Sequence, residues 1–134
     1  MNIETFDHLL QAARTQPLPQ RLLMVFATAE LPDGATAAQR AEFEAGEGGA
    51  LVPAACVDKS PDELSTFDAL VQEAGQFALD WRVVFVAALS GSTQTAPGSA
   101  EVEGALQTMV DRIKQGDIGR YLPFDRQGRA IQLG

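Results

Sequence analysis

Two short apolar runs dominate the hydropathy pattern, Leu22 to Ala29 (LLMVFATA) and Val83 to Leu89 (VVFVAAL), each preceded by an arginine. Runs of this length are too short to cross a membrane and suit strands buried on both faces, at the centre of a sheet covered by helices. From Phe77 to Leu89 every odd position is apolar, while even positions pass from polar (Asp80, Arg82) to apolar (Val84, Val86). That is the pattern of a strand entering a core from the surface.

Helical periodicity surrounds these strands. Asn2 can cap a first helix carrying Ile3, Phe6, Leu9, Leu10 and Ala13, which Pro17 and Pro19 end. Thr36 and Gln39 have capping-box spacing for a short helix over 37–45, whose only large apolar residue is Phe43. Ser60, Pro61, Asp62 and Glu63 combine an N-cap, a proline at the first helical position and acids in the first turn. They predict a helix with a buried stripe of Leu64, Phe67, Leu70, Val71 and Ala74, stopping at Gly75. Ser99 can cap a last helix in which Val102, Leu106, Met109, Val110 and Ile113 share one face before Gly116.

Two further segments read as outer strands. Ala50 to Val57 contains Pro53, which removes a ladder donor and favours an edge or a bulge. Residues 120–133 read as a hairpin around Asp125-Arg126-Gln127-Gly128, with Pro123 in an outer strand. The chain is thus expected to form one α/β (α+β) domain over 1–134: a mixed sheet of about four to five strands with three main helices. A Gly- and acid-rich segment near 32–49 and a loop near 90–98 are expected to be flexible.

Composition narrows the function. The 134 residues are 46% hydrophobic and 21% charged, with net charge −8. That is globular composition, and the acidic balance repels nucleic acid and anionic lipid. The start, MNIETFDHLL, lacks the basic and apolar regions of a leader, so a cytoplasmic location is expected. Cys56 is the sole cysteine and His8 the sole histidine, which leaves no multi-cysteine zinc site or conventional Cys-His pair. No metal or cofactor is expected. His8 reads as a surface residue, Trp81 as a core anchor and Tyr121 as a strand residue.

Three places remain as candidate sites. Cys56 precedes a well-capped helix start and has Lys59 nearby, a setting that favours a thiolate; the plainer reading is a small buried hydrophobe within ALVPAACV. The loop Ser90-Gly91-Ser92-Thr93 leads toward a helix N-terminus, where Ser90, Ser92 and Thr93 could hold an anion; the plainer reading is a surface connector. Charge is also uneven: residues 1–111 carry sixteen acids and five bases, residues 112–134 two acids and five bases. Arg112, Lys114, Arg120, Arg126 and Arg129 thereby form a basic end, suited to an acidic partner unless these arginines pair internally.

The segments QRLLMVFATAELP, GGALVPAACVDKSPDEL and YLPFDRQGRAIQL resemble a family of small, uncharacterised proteobacterial proteins often labelled as ribonucleotide reductase alpha subunit. That label implies a thiyl-forming cysteine plus a reducing cysteine pair, and a chain with Cys56 alone cannot perform that reaction. The resemblance therefore implies no site residues. The residues themselves point first to a non-catalytic interaction module using Arg120, Arg126 and Arg129 toward an acidic protein, with a homodimer through a sheet edge as a further expectation. A small anion or metabolite binder at the Ser90 loop is the alternative, and a redox or enzymatic role for Cys56 comes last.

Overall fold

The run after Arg21 forms β1 (Gln20–Glu30), and its side chains alternate between two separate cores: Leu22, Met24 and Phe26 enter one, Leu23, Val25 and Ala27 the other. β3 (Val83–Ser90) is sorted likewise, with Val84 and Val86 on the first side and Val83 and Phe85 on the second. Side chains alternate across a strand, so an unbroken apolar run demands a cover on both faces. The computed structural model describes residues 3–31, 33–45, 49–64, 66–76, 80–92 and 95–132.

The cover is helical on each side. α1 (Phe6–Arg14) and α3 (Phe67–Ala74) close the first core with Phe6, Leu10, Phe67 and Leu70, and α4 (Ser99–Lys114) closes the second with Val102, Leu106, Met109 and Ile113. The result is three layers. Burying each such side chain contributes about 1.5–3 kcal/mol. Two outer strands complete the sheet, β2 (Ala50–Lys59) and β4 (Leu122–Phe124), in the order β2-β1-β3-β4.

The α+β class and the strand number agree with the sequence reading. Strand direction differs: every described pairing is antiparallel, rather than mixed. Continuous apolar strands usually accompany parallel sheets because crossover helices cover both faces. Here helices from both ends of the chain supply that cover without any parallel pair. Pro53 lies in an edge strand as expected, beside a register shift opposite Phe26 and Ala27.

Most helix starts lie close to their predicted places. Thr5 caps α1, its Oγ1 accepting the His8 N–H at 3.2 Å; Asn2, the expected cap, lies outside the described residues. α2 (Ala37–Glu44) has the Thr36–Gln39 capping box, with bonds of 3.1 and 2.9 Å, yet buries no residue. Pro32 and residues 46–48 of the same segment are outside the description. Gly98 caps α4, and Ser99 is its first residue.

The Ser60 signal has a different outcome. It forms only a 3-10 turn, Pro61–Glu63, and Leu64 is then extended and buried before Thr66 caps α3. Two interactions, one long-range and one local, interrupt the helix. Arg14 Nη2 donates to the Leu64 carbonyl at 2.8 Å, and Thr66 Oγ1 accepts the Ala69 N–H at 3.1 Å as a second N-cap. The predicted stripe still reaches the core because Leu64, Phe67, Leu70 and Ala74 are all buried. Phe77 and Leu79 lie outside the described residues, and the strand begins at Val83, with Trp81 fully buried just ahead of it.

The C-terminal turn is held from within and from below. The Asp125 carboxylate accepts the N–H groups of Gln127 and Arg129 at 2.9 and 3.0 Å. Gly128 has φ +80°, and its carbonyl accepts the Phe6 N–H at 2.7 Å. A Cβ there would lie 3.0 Å from the Phe67 ring. Gly128→Ala is therefore expected to cost about 1–3 kcal/mol in urea unfolding, through left-handed strain and overpacking on Phe67. Wild-type stability in that variant would contradict this packing.

An ionic cluster ties β1 to β2 and the 3-10 turn. Arg21 Nε meets Asp58 at 2.6 Å and Arg21 Nη1 meets Glu63 at 2.8 Å. Hydrogen bonds from the Ser60 backbone N–H and then its hydroxyl, with the Arg21 guanidinium adding its charge, hold Glu63 below its ordinary value of 4.5. A lowered carboxylate contributes stability that is complete above the ordinary value and is lost as pH falls through the folded one. Unfolding midpoints should thus fall with acidification below about pH 4.5, and Glu63→Gln should reduce that fall while leaving the other carboxylates' share. Because Glu63 is half exposed, the effect is small.

Candidate functional site

A recess opens where β1 leaves the sheet and β3 enters it, a cleft of about 710 Å³. Trp81 and Arg82 come from the approach to β3, Arg126 from the hairpin turn, and Phe43 from α2. Asp80 and Asp125 add two carboxylates. Sheet register makes this meeting possible. Val84 pairs with Phe124 and Ala27 with Val83, so the turn after β4 lies beside the first residues of β3 and the last of β1.

Both arginines lie against aromatic rings. The Arg126 guanidinium carbon is 5.4 Å from the Trp81 ring centroid, and that of Arg82 is 5.4 Å from Phe43. Such contacts contribute roughly 0.5–1 kcal/mol at exposed sites and orient the planar group. Trp81 is in turn held edge-on by Phe26, with ring centroids 5.0 Å apart. Its buried indole N–H has no hydrogen-bond partner among the described residues. Asp125 is largely occupied within the turn and meets Arg129 at 3.4 Å. Arg126 makes no ion pair among the described residues.

The sequence-derived site residues divide between the two ends of the sheet. Arg126 enters the cleft. Arg129 is beside it in the hairpin, but its side chain is 69% exposed and turned onto Asp125, so internal pairing applies to this arginine. Arg120 precedes β4 and lies toward the other end of β3, since Leu122 pairs with Val86 and Phe124 with Val84. Arg112 and Lys114 occupy the last turn of α4, where cations favour the helix dipole.

Ser90 ends β3, and that strand's eight residues separate it from the cleft by roughly 23 Å at about 3.3 Å per residue. Its Oγ accepts the amide of the buried Gln20 at 2.8 Å. The Gly91 N–H donates to the Pro19 carbonyl at 2.8 Å, and Ser92 and Thr95 exchange backbone bonds of 2.8 and 3.3 Å. These groups tie the loop to the start of β1. Thr93 lies outside the described residues.

Cys56 corrects the plainer sequence reading: it is exposed. It lies on the outer strand β2, opposite Val25, in a groove with Glu103, Leu106, Gln107 and Val110 of α4. α4 packs on β1 and β2, and the thiol stands in the groove along its flank. The expected cation is elsewhere, because Lys59 meets Glu73 at 3.1 Å. Among the described residues, no group of three His, Cys, Asp or Glu side chains could hold a metal ion.

Arg82, Phe43 and Asp80 were not among the residues singled out from sequence. The available signal was the arginine preceding the second apolar run, together with a helix whose only large apolar residue is Phe43. No family model, curated protein or solved structure matches the chain. Also among the described residues, no helix is long and apolar enough to cross a membrane.

An exposed edge-strand thiol should react with a maleimide in the native protein without denaturant. Cys56→Ser should leave the unfolding free energy within about 0.5 kcal/mol, as for surface changes away from packed features. Protection from labelling until the protein unfolds would contradict the placement.

Proposed function

We propose that the protein is a non-catalytic interaction module whose partner docks at the hairpin end of the sheet. The observation that carries this reading is the placement of Arg126 over Trp81, in a cleft that also contains Arg82 and Phe43. A guanidinium resting over a ring is oriented in advance, so less side-chain entropy is lost when a ligand engages it. The chemistry on offer is recognition: guanidinium donors, aromatic walls and a carboxylate already used by its own turn. Arg129 supports Asp125 in this arrangement, and Arg120 is peripheral to it.

The Ser90 loop supports small-anion binding less well, because the Ser90 hydroxyl and the Gly91 N–H are used to fasten it to residues 19–20. A homodimer along β2 is likewise less favoured. Pro53 and the neighbouring register shift interrupt that edge, devices that discourage strand addition. The basic end remains the best-supported surface.

The test is capture from the lysate of the native cell at low and moderate salt, with the wild-type chain beside Arg126→Glu and Arg129→Glu variants. A stoichiometric partner should be lost with Arg126→Glu and weakened by salt. Because Arg129 is turned onto Asp125, Arg129→Glu should have the smaller effect. Retention of every partner by the Arg126→Glu protein would refute the reading.

A further inference from the structure

We propose that the cleft recognises a single side-chain carboxylate, presented by an otherwise uncharged segment of a protein partner, with Arg126 as the gripping residue. This proposal rests on the docking reading above and adds the chemical class of what is bound. Three observations carry it.

The first is the donor set. Arg126 lies over Trp81, makes no ion pair among the described residues, and presents a planar fork that matches a carboxylate through two parallel hydrogen bonds. Buried Trp81 lines the same cleft, and its indole N–H has no partner among the described residues.

The second is the local charge balance. Asp80 and Asp125 stand in the same recess as Arg82 and Arg126, and the chain as a whole carries −8. No positive field therefore gathers polyanions from a distance, and far-field repulsion grows with ligand charge. Short-range geometry has to supply the binding, which favours a singly charged, planar group over phosphate, whose charge approaches −2.

The third is the wall. Phe43, which carries the Arg82 guanidinium, and Ala29 line the cleft, so it offers apolar surface to the methylenes of a glutamate and to small neighbouring side chains. An opening of about 710 Å³ is large enough for a short stretch of chain.

Trp81 is the only tryptophan, so its emission reports directly on the cleft. The probe is a blocked pentapeptide with glutamate at its centre and alanine elsewhere, compared with versions carrying glutamine or phosphoserine there. The glutamate peptide should change Trp81 emission saturably, and the other two should bind at least severalfold more weakly. Arg126→Gln, with its thermal transition unchanged, should lose most of the response. Asp80→Asn, which removes a nearby negative charge, should strengthen glutamate-peptide binding a few-fold. Opposite effects from two substitutions in one cleft cannot arise from general loss of structure.

Equal binding of the glutamine or phosphoserine peptide would overturn the proposal, as would an unaltered response in Arg126→Gln. If the glutamate peptide does not bind but a cellular partner is still lost with Arg126→Glu, the carboxylate class falls and the docking reading stands. If the partner also survives that substitution, both fall.

Discussion

The burial of β1 on both faces is the constraint on which the rest of the structure depends. Leu22, Met24 and Phe26 require one apolar cover and Leu23, Val25 and Ala27 require another. Neither can be satisfied by a neighbouring strand, because strands extend the sheet sideways and leave its faces open. The chain meets the requirement with α1 and α3 on one side and α4 on the other. Interior placement of β1 between β2 and β3 also satisfies its backbone, so the strand combines apolar burial with a paired ladder.

Asymmetry of that cover decides where the molecule is open. Two helices and a 3-10 turn occupy the first face, whereas one sixteen-residue helix occupies the second. A single helix is about 10 Å wide, comparable with two strand spacings of about 4.8 Å. It packs on β1 and β2, and Cys56 stays exposed in the groove beside it. The cleft has a different origin. It forms at the end of the sheet, where β1 departs toward α2, β3 arrives behind Trp81, and the hairpin turn closes from the side. α2 buries no described residue, and it borders the recess through Phe43, over which Arg82 lies.

Much of the local structure was legible in the residues. The capping box at Thr36, the proline-marked edges at Pro53 and Pro123, and the turn at residues 125–128 each rest on short-range chemistry that a sequence displays directly. Departures arose where a distant group entered. Arg14 reaches the Leu64 carbonyl from fifty residues away and helps to hold the chain extended where its own caps favour helix. Cys56 has the apolar neighbours of a buried residue, but it stands in a groove beside α4 that leaves it exposed. The candidate site was half legible: Arg126 stood out by charge, while its partners in the cleft, Trp81, Arg82 and Phe43, lie forty-four to eighty-three positions earlier and are joined only by register.

The sequence by itself determined which residues need burial, where most elements start and stop, and that the C-terminal end carries excess positive charge. These follow from side-chain chemistry and from interactions between residues a few positions apart. Tertiary structure alone decided that every described strand pair is antiparallel, that the Ser60 signal yields one tight turn, and that Arg126 rests on a tryptophan forty-five residues earlier in the chain. Such outcomes are set by which surfaces meet across the sheet. Periodicity specifies the faces to be covered and leaves open which distant segment supplies each cover.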